Sequence, residues 1–137
     1  MNHQDAKAQI EPIPKETDEV AVKIVDGVHK VHTMLGPGLL ESVYEACLLH
    51  EFAKRGLKAE RQVSLPIVYD NLRLDVGLRL DLLVENRVVV ELKAVEALLP
   101  VHRAQVLSYF KLSGHRMGLL VNFNTVLIRD GIQRIAL

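Results

Sequence analysis

The chain has 137 residues, a usual length for one domain and enough to bury about two-thirds of the surface of the unfolded chain. It carries 17 basic and 17 acidic residues, and this balance excludes a general electrostatic attraction to nucleic acid. A single cysteine, Cys47, excludes an internal disulfide, and the absence of a signal peptide and of an apolar run of about eighteen residues leads us to expect a reducing cytoplasm and no membrane association.

The first 15 residues are polar and predict a flexible tail. The spacing of Pro12 and Pro14 disfavours both a helix and a strand there. We therefore expect a single folded domain over residues 16–137.

A helical hairpin is predicted after the tail. From Thr17, apolar residues recur at spacings of three and four over about 18 residues, as on one face of an amphipathic helix. Gly36-Pro37-Gly38 ends this helix, and a second helix is predicted over residues 39–55. Cys47 falls on the inward side of the second helix, which favours a core residue over a nucleophile. His32, on the first helix, is expected on a solvated face.

From Glu60 the apolar period changes to two, which predicts strands. Asp70-Asn71 offers turn chemistry, and Gly77 marks a bulge or bend. Pro100 opens a third helix that runs to about residue 112. Helices flanking a mixed sheet predict an α/β sandwich. The predicted strands cover residues 60–69, 72–76, 78–84, 88–95, 117–123 and 126–129, with an edge strand at 132–135.

Three charged residues interrupt the most apolar runs of the predicted sheet. Asp81 lies within residues 80–84, and Glu91 and Lys93 lie within residues 88–95. Burying an isolated charge costs several kcal/mol, so such groups persist where they pair, bind a metal or take part in chemistry. We therefore expect the function at these three residues.

The two runs that carry these charges, residues 80–84 and 88–95, are predicted to form a β-hairpin. Alternation of side chains along a strand predicts which of their residues lie opposite each other. With Glu85-Asn86-Arg87 as a three-residue turn, Asp81 lies opposite Glu91, with β-carbons about 5 Å apart. Like charges at that distance are unfavourable unless a cation lies between them, and oxygen ligands suit Mg²⁺ or Mn²⁺. The same register predicts one shared apolar face, opposite the charges, made of Leu80, Leu82, Val84, Val88, Val90 and Leu92.

An alternative is a solvated hairpin in which Lys93 simply pairs with Glu91 or Asp81. Leu83 and Val89 fall on the same face as these charges, and the apolar run continues beyond Lys93. Charges among apolar neighbours favour a cleft over a wet surface.

The run Gly38-Leu39-Leu40-Glu41-Ser42-Val43-Tyr44 matches the signature GxxExxY, and it presents Glu41 and Tyr44 as neighbours on one helix surface. Together with Glu91-Leu92-Lys93-Ala94 and the run at residues 118–123, it makes the chain resemble the GxxExxY branch of the PD-(D/E)XK nuclease superfamily. The resemblance extends over residues 20–135.

This resemblance implies an α/β, restriction-endonuclease-like mixed β-sheet core flanked by helices. It also implies a catalytic set in which Asp81, Glu91 and Lys93 are the Asp, Glu and Lys of the motif, and in which Glu41 is an acid from the preceding helix. Glu41, Asp81 and Glu91 are then the metal ligands. Gln105 and Tyr109 resemble a Gln-x-x-x-Tyr element, and we expect them, with Tyr44, to position the substrate.

The leading hypothesis is a Mg²⁺- or Mn²⁺-dependent nuclease that hydrolyses phosphodiesters in nucleic acid, with DNA favoured over RNA. The alternative is a catalytically silent, nuclease-like binding or assembly module, which the neutral charge and the few aromatic residues allow. A homodimer is compatible with the high apolar content. A small-molecule binder is disfavoured, because the chain has no Gly-rich phosphate loop.

Overall fold

The computed structural model describes residues 11–137, with the side chain of Val76 left aside. The predicted tail falls largely on residues 1–10, which lie outside the described residues. Ile13 packs against the protein core ahead of the first helix. In chain order the elements are α1 (Lys15–Leu35), α2 (Glu41–Lys54), β1 (Ala59–Tyr69), β2 (Leu72–Val84), β3 (Val88–Lys93), α3 (Pro100–Ser113), β4 (Met117–Asn122), a 3-10 helix (Ile128–Gly131) and β5 (Ile132–Ala136).

The five strands of residues 11–137 form one mixed sheet in the order β1-β2-β3-β4-β5. Neighbouring strands are antiparallel except for β3 and β4, which are parallel. A parallel pair needs a crossover connection, and α3 supplies it. The predicted mixed sheet is confirmed.

Hydrophobic cores lie on both faces of the sheet. The helices α1 and α2 cover one face, and we call the cluster there the first core; it includes Ile24, Tyr44, Leu48, Phe52 and Phe123. The helix α3 covers the other face through Val106, Tyr109 and Phe110, in what we call the second core. No helix of residues 11–137 is both long and apolar enough to cross a bilayer.

The turn and bulge predictions on β1 and β2 are confirmed. Asp70 and Asn71 both have positive φ, of 47° and 67°, as a tight two-residue hairpin turn requires. Farther along the hairpin the register shifts between Leu65 and Ile67 of β1, and Gly77, on the opposite strand, has a φ of 132° that other residues rarely adopt.

Two predictions in other parts of the chain are wrong. Residues 126–129 do not form a strand, because Val126 is exposed and the chain turns into the 3-10 helix at Ile128. A short apolar run is consistent with several structures, so periodicity could not decide between them. His32 is buried and not solvated: its Nε2 lies 2.8 Å from the carbonyl oxygen of Thr125, so the ring ties α1 to the segment after β4.

Candidate functional site

The register of the β2–β3 hairpin is the one predicted from the sequence. Val84 pairs with Val88 and Leu82 with Val90, so the connection has three residues. Continuing this register puts Asp81 across from Glu91, but the backbone pairing stops one residue earlier. The predicted shared face is confirmed for the members that lie in the first core, which are Leu82, Val84, Val88, Val90 and Leu92.

Leu80 departs from this face. It packs in the second core with Leu83 and Val89, on the opposite side of the sheet from Leu82. Regular alternation would put Leu80 and Leu82 on the same side, so the strand is distorted between them. The residue at the distortion is Asp81.

The carboxylates of Asp81 and Glu91 replace the missing backbone pairing with crossed hydrogen bonds. The backbone N–H of Asp81 donates to Oε1 of Glu91 at 3.0 Å, and the backbone N–H of Leu92 donates to Oδ2 of Asp81 at 2.8 Å. The Glu91 carboxylate thus bonds the backbone of Asp81, and the Asp81 carboxylate bonds the backbone of Leu92, the residue after Glu91. The distortion that moves Leu80 to the second core thus accompanies a direct association of the two acids.

Glu91 is the more buried acid, with 3 % of its surface exposed. Burial, followed by the negative charge of Asp81, raises the pKa of Glu91 to about 9. At neutral pH this carboxyl group holds its proton and can donate it in a hydrogen bond to Asp81. The proton on Glu91 spares the sheet a buried negative charge next to Asp81.

Glu41, the first residue of α2, faces the same cleft. A cavity of about 340 Å³ lies between α2 and the sheet, and Glu41 and Asp81 both line it. Burial and the charge of Asp81 raise the pKa of Glu41, whereas the charge of Lys93 lowers it. Glu41 is thus in electrostatic range of the predicted site, although no hydrogen bond links it to Asp81 or Glu91.

Lys93, at the end of β3, makes no ion pair with any acid of residues 11–137. Its Nζ instead donates to Oε1 of Gln105 on α3 at 3.3 Å. The alternative in which Lys93 pairs with Glu91 or Asp81 as an ordinary salt bridge therefore does not describe this hairpin. The ammonium group is held by a neutral amide, at the position where β3 and α3 meet.

Tyr109 lies one turn after Gln105 on α3 and belongs to the second core, with 4 % of its surface exposed. Burial and then the charges of Glu91 and Asp81 raise the pKa of its phenol to about 12. The phenol therefore stays protonated beside the two acids. Its burial makes it part of the wall behind Glu91.

Tyr44, which the sequence analysis predicts to position the substrate, lies inside the first core. It is fully buried, and its ring stacks on Phe123 with a centroid separation of 4.2 Å. Its hydroxyl donates to the carbonyl of Gly36 at 2.6 Å and accepts from the N–H of Leu39 at 3.1 Å. The hydroxyl is therefore committed to the loop between α1 and α2, where it fixes the start of α2 and thus the place of Glu41.

Asn122, which the sequence analysis did not single out, is a buried residue that supports the site. Its side chain accepts from the N–H of Val95 at 3.1 Å and donates to the carbonyl of Val95 at 2.9 Å, which holds the chain as it leaves β3 after Lys93. A polar residue at the end of a buried apolar strand was the available signal. Glu45 and Gln62, which also line the cavity, were missed as well, and spacing gave no comparable signal for them.

A family model described as the PD-(D/E)XK nuclease superfamily matches residues 18–135, nearly the whole chain. The chain belongs to the PD-(D/E)XK nuclease superfamily. Neither the curated proteins nor the solved structures that were searched give a significant match to the chain.

Membership of the PD-(D/E)XK superfamily supports a nuclease-like function and a nucleic-acid substrate, and these nucleases generally use divalent metals. The α/β sheet with flanking helices is consistent with the restriction-endonuclease-like fold of such domains. Glu91-Leu92-Lys93 has the form of the (D/E)XK element in the superfamily name.

The PD-(D/E)XK acids fit a hard cation in part. Within the described residues, no group of three or more His, Cys, Asp or Glu side chains is arranged to hold a metal, so Glu41 does not join Asp81 and Glu91 as a preformed third ligand. Mg²⁺ is usually bound by one or two carboxylates with waters and substrate phosphates. Asp81 and Glu91 supply two carboxylates, and each uses one oxygen in the crossed hydrogen bonds. The donor chemistry therefore fits Mg²⁺ or Mn²⁺.

Proposed function

We propose that this protein is a metal-dependent nuclease that hydrolyses phosphodiester bonds, with DNA favoured over RNA. The observation that carries the proposal is the contact between Asp81 and Glu91 beside a lysine, Lys93, that no acid neutralises. A structural salt bridge would bring the lysine to the acids, whereas here an amide holds it. The charge of Lys93 acts on Glu91 and Glu41 without an ion pair, so a positive charge stays available near the two proposed metal ligands.

The proposed metal ligands are Asp81 and Glu91, with Glu41 supporting the shell from α2. When bound, Mg²⁺ or Mn²⁺ would polarise a phosphate oxygen and lower the pKa of a bound water. Binding requires Glu91 to lose its proton, because a carboxylate and not a carboxylic acid is the ligand. Asp81, which already accepts the N–H of Leu92, is held in place for the same task.

Lys93 is proposed to stabilise negative charge on the phosphate or to orient the attacking water. A positive charge placed in advance where negative charge develops is an effective form of catalysis. The contact with Gln105 restricts the ammonium group without neutralising it. We propose that Gln105 holds Lys93 in place and that Tyr109 encloses Glu91.

We also propose that the chain belongs to the GxxExxY branch. Gly38 has a φ of 93°, which favours glycine, and Tyr44 clamps the loop on which Gly38 lies. The three residues of the signature therefore act together: Gly38 permits the loop, Tyr44 holds it, and Glu41 is presented at its end. A reducing cytoplasm and a homodimer are further parts of this proposal, and sedimentation of the purified protein tests the second.

Cleavage assays with labelled DNA and RNA test the proposal. We expect cleavage that needs Mg²⁺ or Mn²⁺ and that falls about 10²-fold or more in Asp81→Asn and Lys93→Ala. Asp75→Asn and Lys111→Ala make the same chemical changes at exposed positions and should leave cleavage unchanged. Full activity in Asp81→Asn or Lys93→Ala would contradict the assignment.

A silent binding module is the second candidate, and the lack of a preformed three-ligand group in the described chain favours it. Thermal unfolding with and without Mn²⁺ separates the candidates. A rise in melting temperature that Asp81→Asn abolishes supports a metal site, because a ligand that binds the folded state alone stabilises it. An unchanged melting temperature supports the module.

A further inference from the structure

A strained residue in β1 lies directly across the sheet from Asp81. Gln62 has a φ of 51°, in the left-handed region that residues other than glycine rarely adopt, and it lies within a strand and not in a turn. On either side of it Arg61 pairs with Leu82 and Val63 pairs with Leu80, whereas Gln62 and Asp81 do not pair. The strain in β1 and the distortion in β2 therefore occur at the same step of the ladder.

This step of the ladder decides where Asp81 lies. Leu80 packs in the second core and Leu82 in the first, so the regular alternation of β2 breaks at the residue between them. The break leaves Asp81 lining the cavity that Glu41 also lines, while its carboxylate remains bonded to β3 through Leu92. A regular strand at this point would return Leu80 to the first core and move Asp81.

The side chain of Gln62 bonds a residue of α2. Its Nε2 donates to Oε1 of Glu45 at 3.2 Å, and the Glu45 side chain is largely buried. The other carboxylate oxygen of Glu45 lies 3.6 Å from the guanidinium of Arg61. Glu45 follows Glu41 by four residues and so shares its face of the helix. The contact thus connects the element that carries Glu41 with the distortion that places Asp81.

We infer that Glu45 and Gln62 are positioning residues that set Asp81 against Glu41 and thereby tune the affinity of the site for a divalent cation. The inference rests on the proposed function, because it assumes that the acids bind a cation. Residues that orient metal ligands from behind commonly change metal affinity 10- to 100-fold when they are replaced. Neither residue needs to touch the cation.

Calorimetric titration of the full-length protein with Mn²⁺ tests this inference without relying on activity. We expect Glu45→Ala and Gln62→Ala each to weaken Mn²⁺ binding about tenfold. The double variant Glu45→Ala/Gln62→Ala should bind no more weakly than either single variant, because both act through one contact. Glu45→Gln keeps an acceptor oxygen for Gln62 and should restore affinity close to that of the wild type.

Asn71→Ala is the matched control for stability. Asn71 also has a positive φ, but it lies in the β1–β2 turn, so this change strains the backbone away from the acids and should leave Mn²⁺ affinity unchanged. Circular dichroism checks that every variant is folded.

Each outcome of the titration decides the question. Wild-type affinity in Glu45→Ala and Gln62→Ala overturns the positioning role and leaves the metal site intact. A loss in Glu45→Gln as large as that in Glu45→Ala also overturns it, because the charge of Glu45 would then act on the cation directly. A wild-type protein that binds no Mn²⁺ overturns both this inference and the proposed function.

Discussion

At the level of single residues, Glu91 is accommodated in the sheet because it stays protonated. Its neighbours on β3 are Val90 and Leu92, and the acid closest to it is Asp81. An ionised carboxylate in such a place would face both loss of hydration and repulsion. The proton removes both costs by making Glu91 neutral. A bound cation would instead offset the negative charges of the two carboxylates.

The raised pKa predicts how stability depends on pH. In the unfolded chain Glu91 should titrate near its ordinary value of 4.5, whereas in the folded protein its pKa is about 9. Between these values the folded state binds more protons than the unfolded state, so the contribution of Glu91 to the free energy of unfolding falls as the pH rises. The slope from one such group is at most about 1.4 kcal/mol per pH unit. Urea unfolding without divalent metal at pH 5, 7 and 9 measures it.

Glu91→Gln should remove this component, because the amide keeps the shape of the side chain and does not titrate. The variant should therefore gain stability relative to the wild type as the pH rises. Glu96→Gln changes an exposed acid and should keep the wild-type slope. Parallel pH profiles for the wild type and Glu91→Gln would show that Glu91 is ionised in the folded protein.

The sequence could identify the charged residues of the candidate site but not all of their placement. Asp81, Glu91 and Lys93 stood out because charges interrupt apolar strands, and the alternation of side chains gave the correct register for the β2–β3 hairpin. That reasoning assumes regular strands, and the positive φ of Gln62 shows an irregular one beside Asp81. Nothing in the composition of β1 signals this conformation, and the partner of the Gln62 side chain, Glu45, lies on another element, 17 residues away in the chain.

At the level of elements, the link between α1 and α2 depends on one buried side chain. The loop after Leu35 has positive φ at Gly36 and Gly38, and Tyr44 of α2 reaches back to bond it at two points. The ring rests on Phe123, just after β4, so the loop, the helix and the sheet meet at this phenol. The GxxExxY signature thus has a structural explanation that does not require Tyr44 to touch a substrate.

Tyr44→Phe should destabilise the protein by about 1 to 3 kcal/mol, because it leaves the carbonyl of Gly36 and the N–H of Leu39 without their partner. The stacking on Phe123 is kept, so the loss is that of the hydroxyl alone. Tyr69→Phe is the control, since Tyr69 is 72 % exposed, and it should change stability by no more than about 0.5 kcal/mol. Urea unfolding gives both values. An equal effect of the two changes would show that the hydrogen bonds of the Tyr44 hydroxyl do not explain the tyrosine of the signature.

The helices and the hairpins were the elements that the sequence predicted best, because their periods are long or their turns have specific residues. Pro100 at the start of α3 and Gly114, with a φ of 79° at its end, are such signals. The packing of α3 on the sheet could not be read in advance. At Gly118 of β4 an added β-carbon would lie 3.0 Å from Val106 and Phe110, so this glycine sets how close α3 and its Gln105 approach.

At the level of the whole molecule, one sheet supports two cores that share strands. Val90 of β3 lies in the first core and Val89 in the second, and Leu119 and Leu120 of β4 divide in the same way. The candidate site lies on a strand that both cores share, since Glu91 follows Val89 and Val90 on β3. Loss of either core would leave β3 and β4 with one face exposed, so neither core has an independent scaffold.

This sharing predicts that the two cores unfold together, and the three tyrosines of the chain report on it. Tyr44 lies in the first core, Tyr109 lies in the second, and Tyr69 is exposed near the β1–β2 turn. With 3-fluorotyrosine at all three positions, the native ¹⁹F signals of Tyr44 and Tyr109 should disappear at the same urea concentration, as expected of one cooperative unit. Phenylalanine variants assign the signals.

The signal of Tyr69 should shift little before the common midpoint, because its environment is already aqueous. A lower midpoint for Tyr109 than for Tyr44 would mean that α3 and the second core open while α1 and α2 remain folded. The hydrogen bond between Lys93 and Gln105 would then break while Glu41 is still in place on α2. The candidate site would come apart by local unfolding, before the rest of the protein unfolds. Coincident midpoints instead tie the integrity of the acids, of Lys93 and of both cores to a single unfolding equilibrium.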